Sequence, residues 1–165
     1  MKKQIILLNG PSSSGKSTLS KYLQKKIEEE MDQKYEIVSI DHFMKISTSE
    51  TIYEDDVFEI SYDMCKKTLE LLQIYSGVII DHVITSERIF NEFWEVLGQL
   101  EILFVKVTCP LEILEKRELE RKNRCLGSAK SSYTYLYPKD DYDLVVDTDS
   151  MTLKECCEVI FKKII

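Results

Sequence analysis

Gly10-Pro11-Ser12-Ser13-Ser14-Gly15-Lys16-Ser17 follows the spacing G-x-x-x-x-G-K-S, and the residues on either side of it decide the fold. Ile5-Ile6-Leu7-Leu8-Asn9 precedes it, a short apolar run suited to a buried parallel strand. Leu19, Tyr22, Leu23, Ile27 and Met31 follow it at helical spacing on one face. Strand, glycine loop and helix form the context in which this motif cradles a nucleoside triphosphate with Mg²⁺. Glycines let the backbone curl so that successive N–H groups face inward, and the helix N-terminus adds positive potential. The phosphate-contacting set is then Gly10, Pro11, Ser12, Ser13, Ser14, Gly15, Lys16, Ser17 and Thr18. Lys16 is expected to reach the β- and γ-phosphates, and the Ser17 hydroxyl to ligate Mg²⁺.

Further strand-like runs lie at 35–40, 77–84, 101–108 and 142–147, with amphipathic stretches between them. One stripe carries Ile60, Met64, Leu71, Leu72 and Tyr75, a second Ile89, Phe90, Phe93, Trp94 and Leu97. A third carries Leu153, Cys156, Ile160, Phe161 and Ile164. Five buried strands alternating with helices predict an α/β fold of three layers, a five-stranded parallel sheet with helices on both faces. With 165 residues, five Gly and three Pro, the chain reads as a single domain, 1–165, without linkers.

The formal net charge of −7 argues against nucleic acid as a partner. Cysteines at 65, 109, 125, 156 and 157 are odd in number, contain no C-x-x-C and lack His at ligand spacing. Reduced thiols suit a cytoplasmic location. The apolar run after Met1-Lys2-Lys3 is too short to span a membrane and continues into the loop, so neither a targeting segment nor a membrane partner is expected. Oligomeric state is open, and a homo-oligomer is allowed.

Two carboxylates fall where phosphoryl transfer needs them. Asp41 follows the strand ending Ile37-Val38-Ser39-Ile40, beside the phosphate loop. It is placed to accept a hydrogen bond from an acceptor hydroxyl, aiming its oxygen at phosphorus and taking the proton late. An N-cap role competes with that reading. Asp81 ends Val78-Ile79-Ile80, a Walker-B-like pattern that would hold Mg²⁺ through water or Ser17, against the alternative of a strand-end turn. His42 and His82 each follow one of these aspartates and are expected in loop or pocket-lining positions.

Arg117, Arg121 and Arg124 recur at i, i+4, i+7 after Pro110, which reads as a first helical residue. Interspersed Glu115, Glu118 and Glu120 make a solvated ion-paired face one reading; guanidinium donors to phosphoryl oxygens are the other. Tyr133, Tyr135 and Tyr137 alternate, so an extended stretch would present them on one face as a clasp for an acceptor, unless they pack onto the domain. Cys125 lacks a base partner and is discounted as a nucleophile.

Over most of its length the chain resembles the chloramphenicol phosphotransferase-like family of P-loop kinases. The likeness rests on Ile6–Gly10 leading into the loop, Val38-Ser39-Ile40-Asp41, Val78-Ile79-Ile80-Asp81, and Val107-Thr108-Cys109-Pro110. It continues through Arg117-Glu118 with Arg121 and Arg124, and ends in Tyr142-Asp143-Leu144 and Val146-Asp147-Thr148. This resemblance implies a fold like the shikimate and adenylate kinases and transfer of the γ-phosphoryl of ATP to a hydroxyl of a small molecule. It places the catalytic base on Asp41, lid arginines on Arg121 and Arg124, and Arg117 nearer the adenine. It also puts the base edge beside Thr148, Asp149 and Ser150, and marks out a lid of about 117–137 and a variable acceptor-side segment of about 42–60. Where the family commonly carries a Gln and a Val-His pair, this chain reads Ser131-Ser132-Tyr133 and Leu136-Tyr137, so the acceptor need not be chloramphenicol. A nucleotide-type acceptor, or an ATP-binding regulatory module with no acceptor, are the competing functions.

Overall fold

The computed structural model describes residues 4–44, 53–122 and 125–165. Its apolar run forms β1 (Ile5–Asn9), every residue of which is buried. The strand can be buried on both sides because parallel neighbours satisfy both of its edges. β3 (Gly77–His82) pairs with one edge and β4 (Ile102–Thr108) with the other. β2 (Tyr35–Ser39) lies outside β3 and β5 (Leu144–Asp147) outside β4, giving the order β2-β3-β1-β4-β5, all parallel. The five expected strands are all present, β1 at its expected bounds and the other four shorter by one or two residues.

Strand alternation distributes the core. Ile6, Leu8 and Ile79 point to one face, where they meet Leu19, Leu23 and Ile27 of α1 (Lys16–Met31) and Cys156, Ile160 and Ile164 of α7 (Leu153–Ile164). Ile5, Leu7 and Ile80 point to the other, against Met64 and Cys65 of α3 (Glu54–Leu71) and Ile89, Phe93 and Leu97 of α4 (Glu87–Leu97). The helical stripes are therefore the covers of a two-faced parallel sheet. Leu72 and Tyr75 fall just past the end of α3, where Tyr75 N–H bonds the Leu71 carbonyl. A short α2 (Ile40–Phe43) follows β2, while α5 (Leu111–Arg121) and α6 (Ser128–Tyr135) form a flap joined through Cys109, Leu114 and Ala129. Pro110 is the N-cap of α5 rather than its first helical residue.

In such a sheet the chain leaves its strands in opposite directions on the two sides of β1, which opens a crevice at the strands' carboxyl ends. The phosphate loop, Asp41 and Asp81 all stand at that end. No helix of the described residues is long and apolar enough to cross a membrane.

Candidate active site

The phosphate loop is held by its two glycines in different ways. A Cβ on Gly10 would stand 2.1 Å from the Val107 carbonyl oxygen of β4, so only glycine allows this close approach. Gly15 adopts φ 95°, in the left-handed region, as does Ser13 at φ 70°. Ser14 N–H closes a turn onto the Pro11 carbonyl at 3.2 Å, and the first helical bond of α1 runs from Leu19 N–H to the Gly15 carbonyl at 3.0 Å. The N–H groups from Gly15 to Thr18 thus precede the helical ladder. No acidic side chain occupies the first turn to quench the positive helix end. Lys16 folds back over the loop, its Nζ donating to the Pro11 carbonyl at 2.8 Å and to Ser14 Oγ at 3.3 Å.

Below the loop, Asp81 at the end of β3 is 3 % exposed. Its Oδ2 accepts from Ser17 Oγ at 3.0 Å and from Ser39 Oγ at 3.2 Å. This set of hard oxygens fits Mg²⁺, which binds a few protein oxygens and keeps waters and phosphate oxygens for the rest of its shell. No group of three or more His, Cys, Asp and Glu that could hold a metal converges among the described residues. Ser39 also caps α2, accepting from Asp41 N–H at 3.3 Å, so one hydroxyl links Asp81 on β3 to the turn bearing Asp41. Sequence reasoning gave Ser39 no role; its signal was a serine at the strand end, two residues before an acidic one, the pattern of an N-cap. Asn9 was missed likewise. Fully buried at the end of β1, it donates to the Tyr137 carbonyl and Tyr142 Oη, both at 3.0 Å, and accepts from Ile84 N–H at 2.8 Å.

His82 does not take the expected loop or pocket-lining position. Adjacent residues on a strand point to opposite faces, so with Asp81 turned to the site His82 turns into the core. There it contacts Ser61 Oγ at 2.8 Å and meets the Phe93 ring edge-on. Burial first, and the Lys16 ammonium second, push its pKa down to about 3. His42 sits exposed on α2.

The flap reaches the loop from above. Arg117 donates from Nη1 to Thr148 Oγ1 at 3.0 Å and to the Ser13 carbonyl at 3.4 Å, and from Nη2 to the Thr148 carbonyl at 3.2 Å. Arg121 Nη1 lies 3.4 Å from Ser13 Oγ. Helix α5 ends at Arg121, with Lys122 at φ 56°, and Arg124 lies outside the described residues. Glu118 does not join an ion-paired face. It is buried, its two oxygens accepting from Gly127 N–H at 3.2 Å and Ala129 N–H at 2.8 Å, which caps α6. Ser132 of α6 in turn accepts from Ser12 N–H at 2.9 Å. Beyond β5, Asp149 N–H and Ser150 N–H both bond to Asp147 Oδ1, at 2.8 and 3.2 Å.

Residues 128–135 are helical, so the three tyrosines do not alternate along an extended face. Tyr133 and Tyr135 are exposed, and Tyr137 packs edge-on to Phe90. None of them lines the crevice. Of the acceptor-side segment of about 42–60, residues 45–52 lie outside the described residues, and Glu54, Asp55 and Asp56 form the first turn of α3. Arg88 clamps that turn to α4, donating from Nη2 to Glu54 and Asp55 at 2.5 and 2.7 Å while stacking over Phe58.

The crevice is a cavity of about 980 Å³ that joins these parts. Its lining includes the phosphate loop with Arg117 and Arg121, and, from α2, α3 and the segment after β3, Ile40, Asp41, Met44, Val57 and Val83, with Glu54 and Thr85. Flap residues Cys125, Leu126 and Ser131 line it as well.

A family model described as chloramphenicol phosphotransferase-like protein matches residues 3–164. Among solved structures, the chain is similar to the APS kinase of Mycobacterium tuberculosis in complex with AMPPNP and APS (TM-score 0.75, 17% identity, 98% of this chain and 96% of that one). It is similar too to a gluconokinase from Sinorhizobium meliloti 1021 (TM-score 0.71, 15% identity, 98% and 97%). The shikimate kinase of Acinetobacter baumannii in complex with shikimate matches with a TM-score of 0.63 and 18% identity over 98% of this chain and 93% of that one. At these identities the likeness establishes the fold, that of P-loop kinases. A search of curated protein sequences finds no match.

Proposed function

The chain belongs to the chloramphenicol phosphotransferase-like family, and from that premise we propose that it is an ATP-dependent kinase phosphorylating a hydroxyl of a small, non-anionic molecule. One observation carries the reading: a phosphate loop and an aspartate from the helical turn after β2 line one and the same cavity. The N–H groups of residues 13–18 and Lys16 would hold the triphosphate, with Arg121 from the flap, and Arg124 on the family likeness, supplying guanidinium donors. Ser17 and Asp81 would hold Mg²⁺, which when bound neutralises charge on the β- and γ-phosphates. Asp41 is the group assigned to the acceptor. Its carboxylate accepts the hydroxyl proton as the oxygen–phosphorus bond forms and the bond to the ADP leaving group breaks. A carboxylate is too weak a base to strip a ground-state alcohol, so the proton moves late, and orientation is the larger part of its contribution.

The charge layout supports a non-anionic acceptor. Among the described residues, the cations lining the cavity are Lys16, Arg117 and Arg121, all on the loop and flap side. The lining contributed by α2, α3 and the segment after β3 is mostly apolar, and its charged groups are the carboxylates Asp41 and Glu54. A phosphorylated or carboxylated acceptor would meet like charge there.

The test is phosphoryl transfer from γ-labelled ATP to compounds in a metabolite extract, with mass identification of the labelled product. On that product, Asp41→Asn should lower kcat by at least a hundredfold with KM for ATP within about threefold. Wild-type turnover in Asp41→Asn would remove the assignment of the base. A product bearing the new phosphate on an already anionic molecule would remove the acceptor class.

A further inference from the structure

Thr148 follows β5, where the adenine edge is expected, yet its hydroxyl faces the phosphate loop. Oγ1 donates to the Ser14 carbonyl at 2.7 Å, with the Thr108 carbonyl at 3.5 Å as a weaker alternative. The same oxygen accepts from Arg117 Nη1 at 3.0 Å, and the Thr148 carbonyl accepts from Nη2 at 3.2 Å. Its own N–H bonds the Thr108 carbonyl at 3.0 Å. A hydroxyl has one hydrogen, and here it lies on a backbone carbonyl of the loop.

A peptide unit is planar and trans, so the C=O of Ser14 and the N–H of Gly15 point in opposite directions. Drawing the Ser14 carbonyl outward onto Thr148 therefore turns Gly15 N–H inward, toward the position a phosphate oxygen must occupy. Gly15 sits at φ 95°, a region of shallow backbone preference for glycine, so the loop does not fix this peptide by itself. On the kinase reading given above, we infer that Thr148 is a positioning residue of the phosphate loop. It sets the 14–15 peptide for anion binding and couples that setting to the flap helix through Arg117, rather than reading the base.

The experiment compares Mg-ATP with Mg-tripolyphosphate, which has no base, by calorimetry on the purified chain. Thr148→Val keeps the side chain's shape and removes the hydroxyl. It should weaken both ligands by the same factor, roughly tenfold, as expected for a buried carbonyl left unsatisfied and a loop amide set free. Thr148→Ser, which retains the hydroxyl, should restore both affinities to within about threefold of wild type. If the valine variant does not fold, Thr148→Ala carries the same expectation. Loss confined to ATP would overturn the inference in favour of a base contact, and so would unchanged affinity for both ligands. A serine variant as weak as the valine one would overturn it, because the hydroxyl alone would not then set the loop, and a weak serine variant beside an unaffected valine one would assign the effect to methyl packing against Gly15. Wild-type protein that binds neither ligand would overturn the kinase reading itself, a result distinct from each of these.

Discussion

Asp81 and His82 are neighbours on one strand, and their contrast shows how much a single position decides. Asp81 accepts from Ser17 and Ser39 at the mouth of the crevice, while His82 is fully buried against Ser61 and Phe93. The histidine carries a stability consequence. Its pKa is about 3 in the folded chain and near 6.5 when unfolded, so between those values the unfolded chain binds a proton that the folded chain does not. Stability must then rise with pH through that window and fall as pH drops below about 6.5, by up to about 1.4 kcal/mol per pH unit from this one group. His82→Gln, followed by urea unfolding from pH 7 to pH 4.5, should flatten the acid slope by that amount relative to wild type. Parallel slopes in the two proteins would show that His82 is not the buried neutral group described. None of this was legible in the sequence, where the Asp-His pair looked the same at 41–42 and 81–82. The difference comes from strand alternation at one site and a single helical turn at the other.

At the level of elements, periodicity told most of the story. β1 to β5, α1, α4 and α7 appear where apolar runs and stripes put them, because each such segment buries its pattern against the sheet. The flap is the exception. Residues 128–135 have no apolar stripe, and α6 buries only Ala129 and Ser132, so alternating tyrosines read as extended when they are helical. What starts this helix is distant in sequence: Glu118 of α5 accepts the Gly127 and Ala129 N–H groups, a cap that no local motif encodes. Glu118→Ala should therefore cost about 2 kcal/mol, the range for hydrogen bonds to a charged group with buried donors left behind. Hydrogen exchange should quicken in 127–135 before it does in the sheet. A change in exchange spread evenly over the chain, or none in α6, would contradict this capping role. Of the three arginines, Arg117 and Arg121, one helical turn apart on α5, both reach the loop, while Arg124 lies outside the described residues.

For the whole molecule, sheet order and site location are one fact. Because β1 lies between β3 and β4, its carboxyl end delivers the loop to the middle of the sheet, with Asp81 on the adjacent strand and β2's exit, bearing Asp41, one strand further. The nucleotide side was legible because backbone geometry, not side-chain variety, makes a phosphate site, and that geometry leaves a fixed spacing in sequence. The acceptor side was less so. Its lining draws two residues each from α2, α3 and the segment after β3, which share a cavity only once folded. The whole account rests on the loop gripping a triphosphate. The direct measurement is calorimetric titration of Mg-ATP into the wild-type chain and into Lys16→Ala. Saturable binding in the wild type, weakened at least a hundredfold in the variant, is the predicted result. Equal affinity in the two proteins, or no binding of Mg-ATP by the wild type, would contradict it.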